Sequence, residues 1–319
     1  MYKKFFGLAR NPFEISPDPY FFYGSAKHNE ALASIYYGIR ARKGFVVVTG
    51  EVGTGKTLLV RCLMDGLDRN HIGFSYVFNT RLNAEEFLKY VMGDLNLPVL
   101  SSKSEALLKL NEFLIARYRK GLATVLIVDE AQNLSWEVLE EIRLLTNLET
   151  AQQKLLQIVL IGQPELDDKL DSQHVRQLKQ RVAFRCRLDP LTQLESRDYI
   201  VRRLQRAGAK ANSWTILPEP VIARVYYYSK GIPRLINTIC ENALIAAFAK
   251  QSPSVTLEMI EEIAKDFRLN QPPQPPKAPT PEALQDGKLV KRLIRLLQSL
   301  EEEPSNAGSE QSAEVLGQQ

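Results

Sequence analysis

Eight consecutive residues hold the clearest chemical signal in this chain, because they fit the pattern G-x-x-x-x-G-K-[S/T] at every position. An apolar run at 45–48 precedes them and a helix-like stretch at 58–63 follows, which is the strand–loop–helix setting of a phosphate-binding loop. In such a loop Lys56 reaches the β- and γ-phosphates and the Thr57 hydroxyl ligates Mg²⁺. The pattern therefore predicts binding of a nucleoside triphosphate. The loop residues are Gly50, Glu51, Val52, Gly53, Thr54, Gly55, Lys56 and Thr57.

Two carboxylates follow a second apolar run, at 124–128. Such a run is typical of a buried central strand of a parallel sheet, so Asp129 and Glu130 are expected at the carboxyl end of a strand. There Asp129 would hold Mg²⁺ through Thr57 or through water. Glu130 points to the other side of the strand and would polarise the attacking water as a general base.

Polar side chains also end two other predicted strands. Gln163 follows the run at 156–161, and we predict that it hydrogen-bonds the γ-phosphate or the attacking water. The alternative is a turn residue that caps its own backbone. Asn79 ends the run at 76–78, from which it would hold Glu130 away from water until a partner binds. An ordinary turn residue is the alternative for Asn79 as well.

Arginines supply two further candidates. Arg181 lies ahead of the last predicted strand, where it would reach the γ-phosphate of a neighbouring subunit and stabilise charge in the transition state. Arg234 follows Pro233, which favours the first helical position, and would project back over the phosphates. The alternatives are a solvated basic edge for Arg181 and a surface ion pair for Arg234. The arginines that compete with Arg181 for its role are Arg176, Arg185 and Arg187.

The stretch 176–206 is the most basic in the chain, with nine Lys and Arg against three acidic residues. It therefore suits contact with nucleic acid as well as a role at a subunit edge. The whole chain carries a formal net charge of +4, which permits an acidic partner without requiring one.

Composition predicts an ordinary globular protein, since 45% of the 319 residues are hydrophobic. The three widely spaced cysteines, Cys62, Cys186 and Cys240, suggest neither a disulfide framework nor a metal site and suit a reducing compartment. The apolar segment before residue 10 is too short for a signal peptide, and no apolar run approaches the length of a membrane span. The predicted location is the cytoplasm.

Alternating strand and helix patterns predict a parallel sheet with crossover helices. From residue 196 on, helices alone are predicted, so an α/β nucleotide-binding domain is followed by a small all-helical lid domain. The predicted strands are 45–49, 74–78, 124–128, 156–161 and 182–188. The predicted helices are 25–42, 56–68, 84–95, 103–119, 135–149, 196–207, 219–229, 233–250 and 256–268.

Six prolines within residues 270–281 predict a linker after the helices. The basic amphipathic segment that follows can lie on a membrane surface, dock on a partner or fold back on its own body. Its apolar face holds Leu289, Val290, Leu293, Ile294, Leu296, Leu297 and Leu300. The predicted divisions are a lead-in and helix packed on the core (1–43), the α/β domain (44–194), the lid (195–268), the linker (269–286), the amphipathic helix (287–303) and a disordered polar tail (304–319).

These motifs, in this order, resemble the AAA+ ATPases. In that family's terms the glycine loop is the Walker A motif and Asp129 with Glu130 is the Walker B motif. Gln163 would be sensor 1, Arg181 the arginine finger and Arg234 sensor 2. The resemblance implies a P-loop fold, ATP and Mg²⁺ as cofactors, and hydrolysis within a ring or filament of identical subunits.

More narrowly, residues 1–268 resemble the ExeA/GspA-type ATPases of bacterial general secretion. That family often continues into a membrane span and a peptidoglycan-binding domain, and we expect neither here. Sensor 1 is also more usually Asn, Ser or Thr in AAA+ proteins. The residues that carry this resemblance are Phe6-Gly7-Leu8, Asn11-Pro12-Phe13, Pro17-Asp18-Pro19, His28, the loop 50–57, Asp129-Glu130-Ala131-Gln132 and Gly162-Gln163-Pro164-Glu165-Leu166.

The resemblance implies an ATP hydrolase whose turnover drives assembly or remodelling of a partner complex in secretion, export or exopolysaccharide assembly. Peripheral contact with the inner membrane would run through 287–303. Short members of the family resemble equally the TniB- and TnsC-like ATPases that help transposases choose DNA targets, so a DNA-associated ATPase is the alternative. A scaffold that binds ATP and scarcely hydrolyses it is a third hypothesis.

Overall fold

The predictions for Asn79, and for the linker, amphipathic helix and polar tail that follow residue 269, lie outside the part of the chain that the computed structural model describes. The side chains of Ser213 and Trp214 lie outside it too. The described residues are 2–78, 80–100, 102–209 and 213–269.

Five parallel strands form the central sheet, and most of their residues are apolar because helices cover both faces. The strands are β1 (Phe45–Gly50), β2 (Ile72–Val77), β3 (Ala123–Val128), β4 (Leu156–Gly162) and β5 (Phe184–Leu188). Their order across the sheet is β2-β3-β4-β1-β5. β4 therefore lies between β1, which leads into the phosphate-binding loop, and β3, which leads to the two carboxylates. The carboxyl ends of all three strands meet at one edge, where the predicted chemistry is brought together.

Helices flank the sheet and then form a separate helical part. The α-helices before the last strand are α1 (Tyr2–Phe5), α2 (Ala26–Arg40), α3 (Lys56–Gly66), α4 (Ala84–Asp94), α5 (Lys103–Arg119), α6 (Trp136–Leu145), α7 (Glu165–Asp171) and α8 (Arg176–Lys179). Those after it are α9 (Gln193–Arg206), α10 (Ser213–Ile216), α11 (Glu219–Ser229), α12 (Pro233–Ala249) and α13 (Leu257–Asp266). Short 3₁₀-helices lie at Pro19–Phe21, Ala131–Asn133 and Gln173–Val175. This arrangement confirms the predicted fold class.

Polar caps fix where several helices begin. Asn83 accepts from the Glu86 backbone N–H, and the Glu86 side chain accepts from the Asn83 backbone N–H, so a capping box starts α4. Ser25 caps α2 as predicted. The helix predicted at 135–149 ends four residues early, at Leu145, because the chain there turns into an antiparallel bridge that leads to β4.

Apolar side chains form three clusters, two on the faces of the sheet and one among the helices that follow β5. The lead-in divides between them, although we expected all of 1–43 to pack on the α/β core. Phe13 and Phe21 belong to the helical cluster, whereas Ile35 and Ile39 of α2 pack on the sheet. Because full burial of such a side chain contributes about 1.5–3 kcal/mol, the lead-in is held firmly on the helical part.

Candidate nucleotide-binding and hydrolysis site

The loop between β1 and α3 depends on glycine for its conformation. Gly53 adopts a φ of 84°, and a Cβ at this position would lie 2.8 Å from the Cβ of Arg234, so only glycine fits. Lys56 opens α3, and its Nζ donates to the carbonyl oxygens of Gly50 at 2.6 Å and Glu51 at 2.9 Å. Burial lowers the pKa of Lys56, while Glu130 and then Asp129 act in the opposite direction. The ammonium is thus held at the mouth of the loop.

The predicted metal position lies beside the Thr57 hydroxyl and the Asp129 carboxylate, which contact each other. The Thr57 hydroxyl donates to Asp129 Oδ2 at 3.1 Å, and the Glu130 backbone N–H donates to Asp129 Oδ1 at 2.9 Å. Asp129 is 3% exposed. Burial raises the pKa of its carboxyl, and these hydrogen bonds lower it. A hydroxyl beside a carboxylate is a donor set that Mg²⁺ accepts, with water as its remaining ligands. The residues present therefore fit the metal.

Tyr76 is a residue of this site that the sequence did not single out. It lies on β2, and its hydroxyl donates to Asp129 Oδ2 at 3.2 Å, beside the Thr57 bond. Burial raises the pKa of the Tyr76 hydroxyl, and the charge of Asp129 raises it further, so the phenol stays protonated and can donate. An aromatic residue on a strand is ordinarily a packing residue, so the sequence held no signal for this contact.

Glu130 lies at the head of a small hydrogen-bond network. Its backbone adopts a left-handed φ of 53°, which costs a non-glycine residue about 1–2 kcal/mol. The carboxylate Oε2 accepts from Gln163 Nε2 at 3.2 Å and from Gln132 Nε2 at 2.6 Å. Gln163 therefore lies beside the general-base candidate, at the tip of β4 where we predicted it. Gln132 received no role from the sequence, although it belongs to the run after β3 that carried the family resemblance.

Arg234 lies where α12 begins, against the phosphate-binding loop. Its backbone N–H donates to the Gly53 carbonyl at 3.2 Å, and its side chain lines the same cavity as Lys56, Glu130 and Gln163. The helical part thus brings an arginine to the phosphate-binding loop, and the sensor 2 role of Arg234 stays a prediction.

The four finger candidates lie outside this cavity. Arg181 donates to Thr146 Oγ1 at 2.7 Å, and Arg185 pairs with Asp167 and Asp171 on α7. The two remaining candidates, Arg176 and Arg187, have exposed side chains, and that of Arg187 is 65% exposed. A finger role for any of them therefore requires the cavity of a neighbouring subunit.

The cavity above the loop measures about 390 Å³, within the size range of small-ligand clefts. One wall comes from the lead-in at residues 15–18, and the facing wall comes from α9 and α12. In that facing wall Arg203 donates to Tyr199 Oη at 2.8 Å, and Tyr199 donates to Asn237 Oδ1 at 2.9 Å. Apart from Arg234, sequence reasoning gave no role in this cavity to the residues of either wall, because the two walls are far apart along the chain. The residues of the first wall are Ile15, Ser16, Pro17 and Asp18.

His28 supports the loop from the lead-in. Its Nε2 lies 2.9 Å from the Thr54 carbonyl oxygen and its Nδ1 lies 2.7 Å from Ser25 Oγ. Since a carbonyl can only accept, Nε2 carries the proton and Nδ1 accepts from the serine hydroxyl. The ring is buried, which lowers the pKa of His28, while the Thr54 bond and the charge of Glu195 oppose that shift.

This burial predicts a pH-dependent stability. Because the pKa of His28 is lower in the folded protein than in the unfolded chain, the unfolded chain binds the proton more readily. Stability is therefore complete above about pH 6.5 and falls as the pH drops towards the folded pKa, by at most about 1.4 kcal/mol per pH unit. Melting temperatures from pH 7.5 to 5 should fall less steeply for His28→Gln than for the parent. His174→Gln, a change at an exposed histidine, should keep the parent's slope, and equal slopes for all three proteins would contradict the prediction.

The fold and this site together define an AAA+ ATPase, an ATP hydrolase. Residues 39–170 match the AAA domain family. The chain is of the general secretion pathway protein A type: it is 44% identical over 257 residues to General secretion pathway protein A of Aeromonas hydrophila. The match covers 80% of this chain and 46% of that protein, so the chain spans about half the length of this relative.

Solved structures share the fold at low sequence identity. Cdc6p from Pyrobaculum aerophilum gives a TM-score of 0.60 at 18% identity, covering 83% of this chain and 70% of that one. A chain of Drosophila ORC bound to DNA gives 0.61 at 18% identity, covering 83% and 66%. The Walker-type ATPase paby2304 of Pyrococcus abyssi gives 0.56 at 16% identity, covering 92% and 89%. Within the described residues, no helix has the length and apolar character that crossing a bilayer requires.

Proposed function

We propose that this protein hydrolyses ATP with Mg²⁺ at the edge where β1, β3 and β4 end. One observation carries the proposal: Lys56, Thr57, Glu130, Gln163 and Arg234 all line a single cavity. Lys56 holds the β- and γ-phosphates, while Thr57 and the adjoining carboxylate of β3 hold the metal. The metal neutralises charge on the phosphates when bound. Glu130 takes the proton from the attacking water, Gln163 orients that water, and Arg234 senses the nucleotide.

Turnover is proposed to depend on a neighbouring copy of the chain. Arg181 and the arginines that compete with it lie outside the cavity of their own subunit, so any of these four can act as the finger only at the cavity of the next subunit. Such fingers raise hydrolysis rates by about 10³–10⁵. A ring or filament of identical subunits therefore completes each site, and an isolated subunit hydrolyses slowly.

The proposed task of this turnover is assembly or remodelling of a protein complex in secretion, export or envelope polysaccharide assembly. The support is the 44% identity to a protein whose name places it in general secretion. The cytoplasm, with peripheral contact at the inner membrane, is the proposed location.

The alternative partner is DNA, which the basic stretch 176–206 suggested. Many of its cations make contacts within the protein instead of forming one exposed surface. Arg203 is buried in the cavity wall, Arg206 donates to the Tyr20 and Phe22 carbonyls, and Arg185 is paired with two aspartates. These contacts favour a protein partner over duplex DNA.

Steady-state ATPase rate against protein concentration tests the proposal, with and without duplex DNA at two salt concentrations. The ATPase rate per subunit should increase with protein concentration and should not change when duplex DNA is added. Lys56→Ala, prepared in parallel, gives the background from contaminating ATPases. A rate per subunit that is independent of concentration would contradict the shared site. Stimulation by DNA that fades at higher salt would support the DNA alternative, and an oligomer that shows no hydrolysis in a single turnover would support the scaffold.

A further inference from the structure

Gln132 uses both ends of its side chain, and both contacts involve the hydrolysis site. Its Nε2 donates to Glu130 Oε2 at 2.6 Å. Its Oε1 accepts from the backbone N–H of Gln163 at 3.0 Å. One amide therefore joins the general-base candidate Glu130 to Gln163 at the tip of β4, two residues that are 33 positions apart along the chain.

The surrounding structure leaves room for this side chain. Gly162 ends β4, and a Cβ at this position would lie 2.9 Å from Gln132 Oε1 and 2.9 Å from a methyl carbon of Leu166. Any larger residue would displace the glutamine oxygen from the strand tip. Lys169 on α7 donates to the Gln132 carbonyl at 3.0 Å, which fixes the backbone of the short helix that carries the side chain. Both the side chain and the backbone of Gln132 are thus held in place.

The contacts that Gln132 makes with Glu130 and with Gln163 have different effects. An amide N–H that donates to a carboxylate stabilises its ionised form and fixes its orientation, which a general base needs. The contact with the Gln163 N–H ties the same side chain to the strand tip that carries sensor 1. A movement of that tip would therefore turn the amide, and the amide would turn the carboxylate.

We infer that Gln132 is a positioning residue, which aims the Glu130 carboxylate and makes its orientation follow the tip of β4. This inference rests on the proposed role of Glu130 as the general base. It adds a residue that lies outside the cavity lining and acts through Glu130.

Two variants of Gln132 separate its contacts. Gln132→Met keeps the length of the side chain and removes both hydrogen bonds. Gln132→Glu keeps an acceptor for the Gln163 N–H but loses the donor to Glu130 and brings a second carboxylate beside it. The control is Gln205→Met, since Gln205 is exposed on α9, away from the cavity.

The measurements are kcat at saturating ATP, ATP affinity by titration and melting temperature. All are made at a protein concentration at which the rate per subunit no longer increases. We expect kcat to fall about 10- to 100-fold in both Gln132 variants, since a catalytic group misplaced by about 1 Å costs about 100-fold. ATP affinity should stay within about threefold of the parent's and the control should match the parent, because Gln132 lies outside the cavity wall. In the Glu130→Gln background, adding Gln132→Met should lower kcat no further.

Several results would overturn the inference. Weaker ATP binding or a lower melting temperature at unchanged kcat would make Gln132 a purely structural residue. An equal loss of kcat in the Glu130→Gln background would show that Gln132 acts independently of Glu130. If Glu130→Gln is inactive while Gln132→Met is fully active, the inference fails and the proposed base stands. If Glu130→Gln hydrolyses ATP at the parent's rate, the inference and the proposed base fail together.

Discussion

Glu130→Gln is expected to bind ATP as tightly as the parent and to lower kcat by about 10²–10⁴-fold, so that ATP stays trapped on the protein. The substitution keeps the shape of the side chain and removes the group that takes the proton from water, and general-base catalysis typically contributes a factor of that size. An amide oxygen at position 130 can still accept the bonds from Gln132 and Gln163, so the fold around the site should persist. The effect should therefore fall on chemistry and leave binding intact.

A single-turnover experiment with radiolabelled ATP measures this effect directly, since it separates retained ATP from released phosphate. Glu137→Gln provides a matched control, because Glu137 is an exposed acid at the start of α6. The assignment of Glu130 as the base is wrong if the Glu130→Gln protein releases phosphate at the parent's rate.

Lys56→Ala is expected to abolish measurable ATP binding, with affinity lower by about 10²-fold or more. Two losses combine. Hydrogen bonds from a charged donor contribute about 1.5–3 kcal/mol, and the phosphates would lose such a donor. The Gly50 and Glu51 carbonyls would also lose the ammonium that holds the loop closed around it.

Calorimetric titration with a slowly hydrolysed ATP analogue checks this prediction, alongside a melting curve that verifies folding. Lys89→Ala serves as the control, because Lys89 makes only an exposed i, i+4 pair with Glu85 and such pairs contribute little. An affinity within about threefold of the parent's would remove Lys56 from the phosphate site.

Most of the fold could be predicted because its signals are local. The apolar runs of β1, β3 and β4, and the glycine loop between β1 and α3, are each contiguous in sequence, so their conformation and relative order follow from pattern and spacing. The polar residues at the ends of these strands then meet at one edge, since the strands are parallel. Asp129 and Gln163 were found by this argument.

What could not be predicted depends on contacts between distant residues. Tyr76 is an aromatic residue of the kind that ordinarily packs in a sheet. Only the pairing of β2 with β3 brings its hydroxyl within hydrogen-bond distance of Asp129. The charge count of 176–206 was correct, but it could not show that Arg203 would be buried. The lead-in was expected to pack on the α/β core, because nothing in its aromatic residues specifies which apolar surface they contact. Phe13 and its neighbours instead pack on helices nearly 200 residues later in the chain.

The lead-in packs partly on the helical part and partly on the sheet. This arrangement also determines when a newly synthesised chain can form a complete ATP site. Residues 2–21 leave the ribosome before the helices on which they pack, and contacts such as Tyr2 with Glu241 and Tyr20 with Arg206 span 239 and 186 residues. At common synthesis rates the lead-in waits about 10 to 50 seconds for its partners, with its apolar side chains exposed to chaperones. Because residues 15–18 line the cavity together with α12, the complete site exists only after α12 has been synthesised. The complete cavity is therefore assembled from both ends of the described chain, and it cannot form while α12 is still unsynthesised.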